Sequence, residues 1–303
     1  MTSLIVPLPG NEALAEVVAH ALNGDLGRLE TRHFPDGESY IRFADDPRNR
    51  PVVLVCTLSR PNDKILDLLF AAATARDLGA TKVGLVAPYL AYLRQDRRFN
   101  SGEAITSKEV ARLISGAFDW LVTVDPHLHR YSSLAEIYSI PAQAVHAAPM
   151  IAAWIRSNIS DPILIGPDSE SEQWVSAVAA DAGAPFTVLE KVRHGDRDVE
   201  ITLRDAVAVH GRTPVLIDDI ISSGRTMLEA VRLVSNRSDQ KQPVCIAVHG
   251  IFADNSDQAL ARAGAQLVTC NTVPHASNAI DVRPALGMAV QLYTGGNARF
   301  GVL

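Results

Sequence analysis

PVLIDDIISSGRTML, residues 214 to 228, passes from an apolar run into two adjacent acids, Asp218 and Asp219, and then into small polar residues ahead of a helical pattern. The apolar run reads as a buried strand, so the stretch is a strand, a tight turn and a helix, the unit of an α/β fold. Small residues in such a turn let backbone amides converge on an anion, and the helix N-terminus adds its partial positive charge. Ser222, Ser223, Gly224, Arg225 and Thr226 form the turn, and their hydroxyls add donors. Acids beside an anion cradle need a separate task. Two fit: accepting hydrogen bonds from sugar hydroxyls, or binding magnesium through water. A phosphorylated sugar with a metal satisfies both. The plainer alternative is that the acids end a strand and Ser222 caps the next helix.

Outward from this stretch the same punctuation recurs. PVVLVC (51 to 56), NDKILDLLFAAATARDLG (62 to 79) and TKVGLVAP (81 to 88) read as strand, helix and strand, with Asn62 as a cap and Gly79 as a stop. TSKEVARLISGAF (106 to 118) follows, with Thr106 and Glu109 at capping-box spacing, and then the strand DWLVTV leading to Asp125. A second series contains PILIG, a helix after Asp168, PFTVL, PVLID, a helix from Thr226, VCIAV, a helix near Gln258, and QLVTC. Alternation of this kind predicts mostly parallel sheets flanked by helices. Pro141 and Pro149 interrupt the pattern between the two series, predicting two α/β domains, residues 1–143 and 144–303. RRFNSGEAI (97 to 105) and KVRHGDRDVE (191 to 200) are polar and glycine-bearing, and both are expected as mobile loops.

The 303 residues are 47% hydrophobic, 20% charged and 6% aromatic, the composition of an ordinary globular chain. A net charge of -6 argues against a nucleic-acid partner. The start MTSLIVPLPG lacks a basic leader, and no stretch approaches the ~20 apolar residues of a membrane helix, so no membrane partner is expected. Cys56, Cys245 and Cys270 stand in apolar runs without metal spacing and read as small buried hydrophobes in a reducing compartment, the cytoplasm.

In open parallel sheets ligands gather beyond the carboxyl ends of the strands, which gives weight to three further ends: Tyr89 to Arg98 after KVGLVAP, Asp125 to His129 after WLVTV, and Asp168 after PILIG. YLAYLRQDRRF clusters Arg94, Gln95, Asp96, Arg97 and Arg98. Arginine forks suit polyphosphates and glutamine suits a base or ribose edge, although a solvated charged face has the same composition. DPHLHR sets His127 and His129 two apart, weak spacing for zinc, while His127 directly after a strand suits a phosphate or a metal-bound water. KVRHGDRDVE offers Lys191 and Arg193, which are either ordinary surface cations or cations that offset charge during phosphoryl transfer.

Together these segments resemble the ribose-phosphate pyrophosphokinase family, nearly end to end and in the family's order. RHFPDGESYIRF is similar to its F-x-D-G-E segment, YLRQDRRF to its ATP motif, VDPHLH to its aspartate-x-histidine and GPD to its aspartate-bearing turn. LIDDIISSGRT is similar to its phosphoribosyl loop, and VHGIF and CNTVPH to its C-terminal strands. The resemblance implies a phosphoribosyltransferase type I-like fold in both domains. It also implies a place in nucleotide biosynthesis, with transfer of the pyrophosphoryl group of ATP to the 1-hydroxyl of ribose 5-phosphate. By matched position, Phe34, Asp36, Glu38, Arg94, Gln95 and Asp96 would bind ATP near a subunit interface of a homo-oligomer. His127 and Asp168 would serve Mg2+, and Lys191, Arg193 and His127 the reaction. Asp218 and Asp219 would hold the ribose hydroxyls, and Ser222, Ser223, Gly224, Arg225 and Thr226 the 5-phosphate.

Three departures stand out. Ser222 replaces a third acid, Arg225 replaces a small residue, and Ser169, Glu170 and Ser171 replace alanine-glycine-glycine after Asp168. Arg225 would either add a phosphate ligand or crowd the turn, the latter if its backbone needs positive φ. A non-catalytic regulatory paralogue, motivated by these departures, and a phosphoribosyltransferase are the alternative readings.

Overall fold

The computed structural model describes residues 2–168, 171–193, 199–203, 209–235 and 241–294. The chain divides into two compact units, Met1–Val145 with Arg283–Leu303, and His146–Val282.

In the first unit, β1 (Leu4–Pro7), β2 (Asp25–Leu26), β5 (Pro51–Val55), β6 (Lys82–Ala87), β7 (Trp120–Val124) and β8 (Ala142–Val145) form one sheet in the order β2-β1-β5-β6-β7-β8. Every neighbouring pair is parallel. Its central strands are apolar throughout because both faces are covered. α1 (Glu12–Leu22), α2 (Ile65–Asp77), α3 (Thr106–Ala117) and α8 (Arg283–Thr294) supply the cover, and Leu68, Ala71, Ala72, Val110 and Ile114 meet Leu54 and Leu85 in one core. An antiparallel hairpin, β3 (Leu29–His33) with β4 (Ser39–Phe43), stands apart from this sheet.

α8 was expected with the second unit, and its sequence gives no hint of where it docks. Three contacts hold it to the first. Gly287 approaches so closely that a Cβ there would lie 3.0 Å from Ala21 Cβ, Gln291 Nε2 donates to Ala21 O at 2.7 Å, and Tyr293 stacks on Trp120 with centroids 5.0 Å apart. Trp120 in turn fills the space left by Gly84, where a Cβ would lie 2.0 Å from the indole.

The second unit has the order β11-β10-β9-β12-β13-β14-β15. The strands are β9 (Pro162–Gly166), β10 (Phe186–Arg193), β11 (Val199–Leu203), β12 (Thr213–Ile221), β13 (Val244–Gly250), β14 (Gln266–Cys270) and β15 (Asn278–Ile280). Among the described residues of this unit only the β10/β11 pair is antiparallel. α4 (Ala148–Asn158), α5 (Glu172–Ala182), α6 (Arg225–Ser235) and α7 (Ser256–Arg262) belong to this unit. Met227, Ala230, Val231 and Val234 of α6 pack with Ile163, Leu216 and Ala247 of the sheet.

Three local expectations change. Thr106 is the first residue of α3, with Ile105 ahead of it and no side-chain cap, and Glu109 pairs instead with Arg112 at 2.8 Å. Of the 191 to 200 segment, residues 191–193 end β10 and residues 199 and 200 begin β11, with Lys191 opposite Ile201 and Arg193 opposite Val199, while 194–198 lie outside the described residues. The 97 to 105 segment is folded back by Glu103, whose carboxylate accepts from the amides of Phe99 (2.7 Å) and Asn100 (3.0 Å). All three cysteines are buried, as expected, and burial pushes the Cys56 thiol up to about 12. Among the described residues no helix is long and apolar enough to cross a membrane.

Candidate active site

In the second unit the expected residues collect at the carboxyl edge of adjacent strands. β12 does not stop at the acids. It continues through Asp218 and Asp219 to Ile221, because Ile220 and Ile221 pair with His249 and Gly250 of β13. Asp218 is thereby held on a sheet beside Asp168, which follows the end of β9, the neighbouring strand. Burial first, then the charges of Asp219 and Asp168, hold the Asp218 carboxyl well above the usual carboxylate range. An anionic cluster of this kind favours a hydroxyl donor or a cation.

The turn after β12 depends on Gly224. Its φ of +67° is the left-handed region, and an added Cβ would lie 2.9 Å from Ser256 Cβ. Arg225 begins α6 and is not among the positive-φ residues, so the strained position lies one residue before it and the arginine does not crowd the turn by that route. Its side chain is exposed, and Thr226 is half-buried. The amides of the first helical turn have no partner within the helix, and here they open α6 directly after the glycine.

A second layer braces this turn. Ser256 Oγ donates to Ser222 O at 2.7 Å, and the amides of Ile251 and Phe252 donate to Ile221 O at 2.9 and 3.1 Å. Phe252 packs on the His275 ring with centroids 4.4 Å apart, and His275 Nε2 lies 3.5 Å from Asp257 Oδ2. His249 is buried against Thr272, 2.9 Å from Nδ1 to Oγ1. VHGIF and CNTVPH thus meet at the back of the turn. Ser256 carries no motif signal and was not expected here.

After Asp168, Ser169 and Glu170 lie outside the described residues, but Ser171 shows what its substitution does. Its amide donates to Asp168 Oδ1 at 3.0 Å and its hydroxyl to Asp168 O at 2.7 Å, closing the turn into α5. It also sits over Gly166, where a Cβ would lie 2.6 Å from Ser171 Oγ. The backbones of Lys191 and Arg193 lie two apart on β10, and their side chains are not among those described.

In the first unit the expected residues fall into two groups. Arg94, Gln95 and Asp96 follow β6, and His127 and His129 follow β7, its parallel neighbour. Both turns contain positive-φ residues, Tyr92 at 62° and Asp125 at 28°, a backbone strain that collects at functional edges. The His127 and His129 rings meet edge-on with centroids 4.6 Å apart. Arg94 is exposed and Gln95 half-buried, whereas the Asp96 side chain is only 1% exposed and is paired with Arg130. Phe34, Asp36 and Glu38 occupy the tip of the β3/β4 hairpin. Gly37 N donates to Phe34 O at 2.9 Å and Phe34 N to Glu38 O at 2.8 Å, with Gly37 at φ +94°, a turn that Pro35 and Asp36 suit. Phe34 is 41% exposed, and Arg32 stacks on it at 4.8 Å and on Tyr40 at 4.0 Å. Neither Arg32 nor Arg130 was expected from the sequence.

No group of three or more His, Cys, Asp or Glu side chains among the described residues is arranged to hold a metal ion. The oxygen donors fit a magnesium ion of the usual kind, held by one or two carboxylates and completed by substrate phosphates and water.

Residues 3–117 match the N-terminal domain of ribose phosphate pyrophosphokinase, and residues 133–285 the phosphoribosyl transferase domain. The chain is 34% identical over 276 residues to the ribose-phosphate pyrophosphokinase of Saccharolobus solfataricus, which spans 89% of this chain and 93% of that protein. It is 33% identical over 285 residues to that of Methanothermobacter thermautotrophicus, spanning 93% of this chain and 98% of that protein. The solved phosphoribosylpyrophosphate synthetase from Mycobacterium smegmatis superposes with a TM-score of 0.83 over 98% of this chain and 100% of that one, at 23% identity, and so shares the fold. With both domain types in succession and archaeal relatives matched over nearly their full length, the chain belongs to the ribose-phosphate pyrophosphokinase family.

Proposed function

We propose that the chain transfers the pyrophosphoryl group of ATP to the 1-hydroxyl of ribose 5-phosphate, giving phosphoribosyl pyrophosphate and AMP. The observation that carries this reading is the end of β12, where clustered acids, Asp218 among them with its carboxyl held well above the usual range, run into a positive-φ glycine that opens α6. The 5-phosphate sits on Ser222, Ser223, Gly224, Arg225 and Thr226, and the ribose hydroxyls donate to Asp218 and Asp219. Arg94 and Gln95 hold ATP, and the exposed hairpin carrying Phe34, Asp36 and Glu38 serves ATP at the interface with a second copy of the chain. Asp168 and His127 serve Mg2+, which when bound supplies charge neutralisation on the phosphates.

No protein nucleophile is needed. The sugar oxygen bonds to the β-phosphorus as the bond to the α,β-bridging oxygen breaks, and AMP leaves. The chain's task is to align these groups and offset charge, with Lys191 and Arg193 as the cations over the transferring group. The buried thiols fit a cytoplasmic setting.

Against a non-catalytic paralogue stand two details: Arg225 sits at a helical position, and Ser171 completes the Asp168 turn. The test is chromatographic. Purified chain with ATP, Mg2+ and ribose 5-phosphate should form AMP, and formation should stop when either substrate is omitted. A folded sample that forms none with several nucleotides and metals contradicts the proposal. Pyrophosphate release from phosphoribosyl pyrophosphate in the presence of a nucleobase would support a phosphoribosyltransferase instead.

A further inference from the structure

Asp96 and Arg130 form a pair that neither the motif nor the reaction requires. The Asp96 side chain is 1% exposed, and Arg130 NH1 donates to both of its oxygens at 2.8 and 2.9 Å. An ionised carboxylate so buried depends on its counter-charge and geometry. Tyr131 adds a hydroxyl bond to Asp96 O at 3.2 Å and lies 3.3 Å from Ser107 Oγ, while Ser107 N donates to Gln95 O at 3.3 Å. The turn that carries Arg94 and Gln95 is thereby bolted to the turn that carries His127 and His129.

Only part of the Arg130 fork is spent on this. The side chain is 44% exposed, and no hydrogen bond to the described residues engages Nε or NH2. Its Cζ lies 5.9 Å from the Phe99 ring centroid, and Arg97 lies 5.0 Å from the same ring. Two guanidiniums are gathered on one exposed phenyl group, beside the two histidines. An arginine locked by a buried acid loses little further freedom on meeting an anion, and its planar fork suits phosphate oxygens.

We propose that Arg130 is a phosphate-binding residue of the nucleotide half of the site, and that Asp96 is its positioning residue and not itself an ATP contact. This rests on the reading that ATP lies along these two turns. It also explains why a carboxylate belongs among arginines that meet a polyanion: the acid faces inward, and its charge is already compensated.

Calorimetric titration with MgATP, without ribose 5-phosphate, tests it on the full chain. Arg130→Met should weaken ATP roughly 10- to 100-fold, the value of a charge-assisted hydrogen bond. Asp96→Asn should weaken it about 3- to 10-fold. Because Asp96 acts through Arg130, the double variant should lose no more than Arg130→Met alone. That double variant also removes the uncompensated buried charge, so it serves if Arg130→Met does not fold. In turnover the KM for ATP should rise and that for ribose 5-phosphate stay unchanged. ATP binding within twofold of wild type by a folded Arg130→Met or double variant overturns the inference, as do losses that add. A wild-type chain that binds ATP but forms no AMP overturns the proposed reaction and leaves this inference standing if the variants lose ATP as stated.

Discussion

Gly224→Ala probes the phosphate turn at its tightest point. Two costs follow from the geometry. An alanine held at φ +67° pays about 1 kcal/mol for the left-handed region. Its Cβ would lie 2.9 Å from Ser256 Cβ, so turn and helix must part by roughly 0.6 Å to reach an ordinary carbon contact. The same movement lengthens the 2.7 Å bond from Ser256 Oγ to Ser222 O to roughly 3.3 Å, weakening it by up to about 1 kcal/mol. The sum is about 2 kcal/mol, which lowers the melting temperature of the second unit by roughly 4 to 8 °C. The displaced turn should raise the KM for ribose 5-phosphate roughly 10-fold or more, because misplacements of this size at a positioning group are costly. The KM for ATP should hardly move. Differential scanning fluorimetry and steady-state kinetics at saturating ATP measure both effects. A variant with KM for ribose 5-phosphate within about twofold of wild type, and an unchanged melting temperature, would refute the assignment of the turn.

Asp218→Asn should stabilise the protein at neutral pH while lowering activity. The folded-state pKa of Asp218 is raised by burial and by Asp219 and Asp168, so its stabilising contribution is full below the ordinary carboxylate range and is lost as pH rises through the raised value. Thermal melts across pH should show the variant gaining most on the alkaline side, with Mg2+ narrowing the gap; equal melting curves would contradict this. Lys191→Ala should lower kcat roughly 100-fold or more with little change in ribose 5-phosphate affinity, and an unchanged kcat removes it from the catalytic group. Arg225→Gly should raise the KM for ribose 5-phosphate, since the helical backbone at Arg225 leaves ligation as its effect; a lower KM would revive crowding.

The alternation of apolar runs and helical stretches made both sheets legible, because strands buried on two faces read as unbroken Val, Leu and Ile. Local signals erred where tertiary pairing decided the outcome. β12 extends past its acids because β13 offers Ile220 and Ile221 partners, and the described ends of polar KVRHGDRDVE are strand because β10 and β11 satisfy each other. Thr106 had the spacing of a cap, but α3 begins on it. The docking of α8 turns on Trp120 filling the space over Gly84 and stacking on Tyr293, a contact across 173 residues that no periodicity encodes. For the site, contiguous motifs such as LIDDIISSGRT were visible, whereas Arg130 and Ser256 act on segments 34 residues away and became visible only once the turns were folded together.

The most direct measurement is phosphorus NMR of the chain with MgATP and ribose 5-phosphate. The account predicts that the β- and γ-phosphorus resonances of ATP pass together into a diphosphate ester on the sugar as the AMP resonance grows in equal amount. Release of inorganic phosphate with ADP, or an unchanged ATP spectrum from folded protein, would contradict it.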